Sequence, residues 1–193
     1  VPLLNFEARD DESLYRGVKR FDWSPFLENR MTFSIDPVVH SPFFRNSHYV
    51  SLKVKDAIVD QFRERTHLRP SVNREDPDLR INVHISDSRV GISLDSSGIS
   101  LHKRGYRTGH FEAPLNEVLA AGMIMMTGWK ADSPFLDPMC GSGTLAIEAA
   151  MIAAGIPPGF YRKSFGFERW KDFDRELLEH VARSISAERK VEV

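Results

Sequence analysis

The sequence predicts an α+β domain followed by the opening of an α/β domain. Three observations carry that prediction. Residues 79–94 hold two runs of alternating apolar and polar positions around a short turn, the pattern of a β-hairpin. A strand pattern and a helical pattern precede the hairpin, and this order packs helices against one face of a sheet. Residues 135–144, Phe-Leu-Asp-Pro-Met-Cys-Gly-Ser-Gly-Thr, run from apolar positions into an acid, a glycine loop and a helix start, which opens an α/β unit. At 193 residues the chain has room for one or two such domains.

The elements follow in order. Leu14 to Leu27 mixes aromatics with Arg16, Lys19 and Arg20, and reads as helix then loop. Met31, Phe33 and Ile35 alternate with Thr32, Ser34 and Asp36, a half-buried strand, and Pro37 and Pro42 bracket a loop containing His40. From Ser47 a helix follows, with Val54, Ile58 and Phe62 at four-residue spacing. Its other faces carry Lys53, Lys55, Arg63 and Arg65, an ordinary solvated surface, and Arg69-Pro70 closes it. Leu79, Ile81, Val83 and Ile85 then alternate with polar residues, Asp87-Ser88-Arg89 turns, and Val90, Ile92 and Leu94 alternate again. His84 falls on the polar face, as a solvent-exposed strand histidine.

Beyond the hairpin, Pro114 stands where the first turn of a helix begins, with Leu115, Val118, Leu119 and Met126 as its apolar face and Gly128 as its end. A strand then reaches Asp137, and a helix spans Leu145 to Ala154 with Gly155 at its cap. A last helix is expected from about Asp172, with Phe173, Leu177, Val181 and Ile185 on one face. Val1 opens inside apparent structure, and Lys190 to Val193 reads as the start of a strand. Both ends are expected to continue into a longer protein.

Bulk properties narrow the classes. Apolar residues make up 41% and charged residues 27%, with a net charge of −1, which is ordinary for a globular protein and makes no global case for nucleic acid. The single cysteine, Cys140, lies in the glycine loop and has no partner for a disulfide or metal cluster. No apolar run approaches the ~18 residues of a membrane span and no signal peptide opens the chain, so a reducing cytoplasm is expected.

The glycine loop carries the chemistry. Gly141 and Gly143 lack a Cβ, so the loop can turn tightly and a ligand can reach backbone. The helix behind it offers unpaired N–H groups to a carboxylate or phosphate. A P-loop needs Lys after its last Gly, and here Thr144 follows Gly143. Gly141-Ser142-Gly143-Thr144-Leu145-Ala146 does fit G-x-G-x-x-A. Asp137, four residues before Gly141, adds a site for an ammonium group. S-adenosylmethionine carries both an ammonium and a sulfonium. A ligand-free glycine turn is the plain alternative.

DPMCGSGT resembles motif I of Rossmann-type S-adenosylmethionine-dependent methyltransferases. Taken with LDSSGISLHKRGYR (94–107), APLNEVLAAG (113–122), LDPMCGSGTLAIEAAMIAAGIPPG (136–159) and FGFERW (165–170), the chain resembles the THUMP-domain methyltransferases of ribosomal RNA, similar to bacterial enzymes that methylate guanine N2 in the large subunit. The resemblance runs from about Leu14 to Trp170. It implies a THUMP-like RNA-binding domain over 1–97, a basic linker over 98–113, and the first part of a Rossmann-like methyltransferase domain over 114–193. It also implies that Pro114 and Leu115 lie in motif X beside the cofactor. Asp137, Pro138, Gly141, Ser142, Gly143 and Thr144 would surround the methionine moiety of S-adenosylmethionine.

The family's catalytic (N/D)PP(Y/F) motif is absent: Asp36-Pro37, Asp76-Pro77 and Asp137-Pro138 each lack the second proline. The acid expected to hold the ribose is not found either, so no catalytic residue is assigned and the segment alone is expected to be inactive.

His102-Lys103-Arg104-Gly105-Tyr106-Arg107 is a basic cluster with one aromatic. Composition favours a solvated linker, with Arg107 paired to an acid. The resemblance favours RNA contact through Lys103, Arg104, Tyr106 and Arg107, with phosphate neutralisation and base stacking as the interactions. Which of these side chains meet RNA and which brace a domain stays open. A DNA amino-methyltransferase would share the D-P-x-x-G-S-G-T loop, and competition between structured RNA and duplex DNA separates it. A non-catalytic RNA-binding module is separated by a methyl-transfer assay, and a nicotinamide oxidoreductase by NAD binding.

Overall fold

The computed structural model describes residues 1–107, 109 and 114–187. These divide into two units: Val1–Gly98 with Gly166–Phe173, and Ile99–Phe165 with the residues from Asp174 on. Most of the expected linker after Arg107, including Ala113, and the expected strand opening at Lys190–Val193 lie outside the described residues.

In unit 1 a mixed five-stranded sheet is covered by two helices. Its elements are β1 (Pro2–Glu7), α1 (Asp11–Arg20), β2 (Thr32–His40), α2 (Ser47–Thr66), β3 (Ser71–Val72), β4 (Leu79–Ser86) and β5 (Arg89–Leu94), in the sheet order β1-β5-β4-β2-β3. The expected hairpin is β4–β5, antiparallel with Ile85 opposite Val90, and its tight turn holds Asp87 at φ 53°. β2 runs parallel to β4 from Phe33 to His40, with Ile35 opposite Ile81.

Alternation places Leu79, Ile81, Val83 and Ile85 in the core with Val54, Ile58 and Phe62 of α2 and Leu14 and Val18 of α1. His84 is exposed on the other face, as expected. Trp23 is fully buried, and its indole Nε1 donates to the Val18 carbonyl at 3.0 Å.

Three expectations are corrected in unit 1. β1 gave no signal that was read, yet it forms an edge strand on β5. The helix begins at Asp11, three residues before Leu14, because Asp10 caps it: Asp10 accepts from the Ser13 N–H and Ser13 reaches back to the cap, a capping box. β2 runs through Pro37 to His40, where a loop was expected. β3 pairs β2 only at Thr32 and Phe33, so beyond them one flank of β2 is an edge, where a residue without an N–H is tolerated.

The segment Gly166–Phe173 belongs to unit 1. It opens with a 3-10 turn, Gly166–Arg169. Phe167 N–H donates to Ser96 O at 3.1 Å, Arg169 pairs with Asp76 at 2.7 Å, Lys171 donates to Ser24 O at 2.9 Å, and Trp170 packs against the core. Phe173 therefore ends this segment instead of starting the last helix, which is corrected to begin at Arg175 with Asp174 capping Leu177 N–H.

Among its described residues unit 2 is helical: α3 (Glu117–Met126), α4 (Thr144–Ala153) and α5 (Arg175–Ala187). α3 packs on α4, and Ala120 and Ile124 of α3 and Ala149 and Met151 of α4 are buried. The strand expected at 135–137 does not form; Leu136 is 84% exposed. A strand is defined by hydrogen bonds to a neighbour, and no described residue of unit 2 supplies one. The expected apolar face of α3 is also corrected. Val118, Leu119 and Met126 are exposed while Glu117, Ala120 and Ile124 are buried. The sequence of α3 is apolar nearly all round, so periodicity could not choose the inward face.

Candidate functional site

The glycine loop and the first turn of α4 form the centre of the site. Gly141 has φ 52° and Gly143 φ 75°, left-handed values that disfavour any side chain. A Cβ at Gly141 would meet nothing within 4 Å, so that glycine is required by backbone conformation and leaves open space above the loop. Gly143 is the N-cap of α4 and supplies no capping side chain. In contrast, Asp10, Asn46 and Asn116 cap α1, α2 and α3 through their side chains. The first turn of α4 thus keeps donor groups and the positive end of its dipole for another acceptor.

Asp137 lies before the loop, half-buried, with Oδ1 accepting the Met139 N–H at 3.1 Å. Pro138 and Cys140 are exposed. A carboxylate before a glycine loop and an uncapped helix start after it suit a zwitterionic amino-acid group.

Arg107 ties this loop to the entry of α3. Its Nε donates to Glu117 Oε1 at 2.6 Å, Nη1 to Ser142 Oγ at 3.3 Å, and Nη2 to both Leu115 O at 2.8 Å and Thr144 Oγ1 at 2.9 Å. Ser142 Oγ and Thr144 Oγ1 lie 3.1 Å apart. Burial opposes ionisation of Glu117, but hydrogen bonds from Arg107 and its own backbone outweigh it, and the carboxyl sits below the usual glutamate range.

Arg104 and Tyr106 serve α4 instead. Arg104 Nε lies 3.4 Å from Glu148 Oε1, and Tyr106 donates its hydroxyl to the same oxygen at 3.0 Å. Burial first, and then the Glu148 carboxylate, raise the Tyr106 phenol far above its ordinary value. Lys103 is exposed, and no side-chain partner for it is found among the described residues. A cavity of about 540 Å³ opens beside this network, lined by His102, Lys103, Arg107, Pro114, Leu115 and Glu117 among others.

Of the residues singled out from sequence, the structure therefore brings together Leu115, Ser142, Thr144 and Arg107, with Gly141 and Gly143 shaping the loop between them. It does not assemble Lys103, Arg104, Tyr106 and Arg107 into one outward cluster, because three of the four are spent on internal acids. Glu117 and Glu148, each at most 5% exposed, were missed. Their signal was a single acid inside each of two apolar helices, EVLAAGMIMM and TLAIEAAMIA, which predicts a buried partner of opposite charge.

Residues 8–95 match the THUMP domain family, and residues 104–192 match the RMKL-like methyltransferase domain family. The chain is 46% identical to the ribosomal RNA large subunit methyltransferase K/L of Aeromonas hydrophila, over 93% of this chain and 25% of that protein. It is 48% identical to the protein of the same name from Psychromonas ingrahamii, over 95% of this chain and 24% of that one. The chain thus spans about a quarter of the length of these relatives. The crystal structure of SMU.472, solved with SAH, superimposes with a TM-score of 0.86 at 33% identity, covering 100% of this chain and 51% of that one. The chain thus carries a THUMP domain over residues 8–95, followed by a segment of the RMKL-like methyltransferase domain over residues 104–192.

Proposed function

We propose that this protein is an S-adenosylmethionine-dependent methyltransferase of large-subunit ribosomal RNA, with the exocyclic N2 of guanine as acceptor. The observation that carries the reading is the left-handed glycine loop before an uncapped helix, with Asp137 beside it. The residues fit the cofactor. Asp137 can accept from its ammonium group, the first-turn N–H groups of α4 can hold its carboxylate, and the open space over Gly141 admits it against backbone. When bound, the cofactor supplies an electrophilic methyl group on sulfonium.

Within this reading residues 1–97 bind RNA, 98–113 form the basic linker, and 114–193 begin the methyltransferase domain. The THUMP match and the names of the relatives support RNA as the partner, and Lys103 is the cation of the basic segment left to meet it. Pro114, Leu115 and Pro138 border the cofactor on this reading. The target base must leave its stack to reach the methyl group, and in-line attack by its amine makes catalysis chiefly a matter of positioning. The (N/D)PP(Y/F) residues that would orient the amine are not among the 193. No helix among the described residues is long and apolar enough to cross a membrane, and an rRNA substrate locates the enzyme in the cytoplasm.

The test is transfer of tritiated methyl from S-adenosylmethionine to unmodified large-subunit rRNA by the full-length protein, with duplex DNA as competitor. Label on guanine N2 is the expected outcome. Label on adenine in DNA would overturn the reading in favour of a DNA amino-methyltransferase.

A further inference from the structure

The two arginines of the basic segment divide between α4 and α3, two of the helices of unit 2. Arg104 reaches Glu148 on α4, while Arg107 reaches Glu117 on α3 and both hydroxyls of the glycine loop. The guanidinium of Arg107 fills all four of its described contacts inside unit 2, and the Glu117 side chain it neutralises is only 7% exposed. Ser142 and Thr144 flank Gly143, the residue that opens α4. Whatever fixes those two hydroxyls fixes the direction of the first-turn N–H groups.

We infer that Arg107 is a positioning residue for the cofactor loop: it sets S-adenosylmethionine affinity through Ser142 and Thr144, without contributing to RNA binding. The inference rests on the reading of the loop as the cofactor site. Its basis is chemical. A planar guanidinium presents five donors in a fixed fork, and here that fork meets a carboxylate, a carbonyl and two hydroxyls at once. A lysine ammonium is a compact point charge on a flexible stem and cannot span the same four acceptors. The loop has few other restraints: Gly143 N–H to Cys140 O at 2.7 Å is its one backbone tie among the described residues, beyond the helix itself.

The test uses full-length protein and measures two affinities for each variant, that for S-adenosylmethionine by calorimetry and that for rRNA across a salt series. Arg107→Ala is expected to weaken cofactor binding about tenfold or more, to leave the RNA salt slope unchanged, and not to be rescued by Arg107→Lys. Ser142→Ala is expected to weaken it less, and the double variant to fall short of the sum, since the two residues share one contact. A flattened RNA slope with normal cofactor affinity would overturn the inference and make Arg107 a phosphate contact.

Should Arg107→Ala unfold unit 2, Glu117→Gln and Ser142→Ala decide instead. Normal cofactor affinity in both overturns the inference, and weakened affinity with a normal melting temperature upholds it. Asp137→Ala separates the two levels. If that variant binds cofactor normally, the loop is not the cofactor site at all. If only the Arg107 variants bind normally, the site stands and the positioning role falls.

Discussion

Arg104 and Glu148 form an ion pair sealed inside unit 2, with side chains 9% and 3% exposed and Tyr106 sharing the same carboxylate oxygen. Removing one member strands the other. Arg104→Ala should destabilise unit 2 by about 3–5 kcal/mol, the cost of an uncompensated buried charge. The joint change Arg104→Met with Glu148→Leu should recover most of it. Denaturant unfolding of the full-length protein checks both, and equal losses in the two variants would contradict the pairing.

Asp137→Ala should weaken S-adenosylmethionine binding. A hydrogen bond to a charged group contributes about 1.5–3 kcal/mol, and so the loss should be about tenfold or more. Titration calorimetry measures it directly, and unchanged affinity would remove Asp137 from the site.

Lys103 is expected to carry the RNA contact of the basic segment alone. Lys103→Ala should lower RNA affinity and reduce the slope of log K against log salt by about 0.7, the share of one phosphate on a single strand. Arg104→Lys should leave the slope where it is. Filter binding from low to high salt distinguishes the two.

Alkaline pH should probe Tyr106. Its phenol is raised by burial and by Glu148, so the folded state holds its proton where the unfolded chain gives it up. The resulting stabilisation is complete below the ordinary tyrosine value of 10.0 and is lost as pH climbs above it toward the folded value. Tyr106→Phe should flatten this alkaline limb in a stability–pH profile. A profile indifferent to the substitution would place the hydroxyl in water.

The 193-residue chain by itself should transfer no methyl group to rRNA, because the complete amine-orienting motif does not occur in it. Incubation with tritiated cofactor and rRNA, beside the full-length protein, measures this. Turnover by the chain would mean that catalysis runs through residues within these 193.

The sequence was most readable where one face of an element meets a core and the other meets water. α2 and the β4–β5 hairpin show such alternation, and each lies where its pattern placed it. β1 was harder, since Leu3, Leu4 and Phe6 break strict alternation and the register shifts between Pro2 and Leu4. In α3 and α4 nearly every position is apolar, so pattern gave the helices but not their inward faces. The glycine loop was legible because left-handed backbone demands glycine locally. The partners of Arg104 and Arg107 were not, because Glu148 and Glu117 stand 44 and 10 residues away in sequence and only the packed fold brings them close.

The return of Gly166–Phe173 to the sheet unit has a bearing on the order of biosynthesis. Domains generally fold as they emerge, N-terminal part first. Here the sheet unit cannot be finished when its own strands have been made, because the seat of Trp170 and the acid partner of Arg169 stay uncovered until α3 and α4 have also been translated. A nascent chain halted after residue 98 should therefore resist protease less well than one halted after residue 173, with the difference concentrated around Asp76 and Pro77, which Arg169 holds.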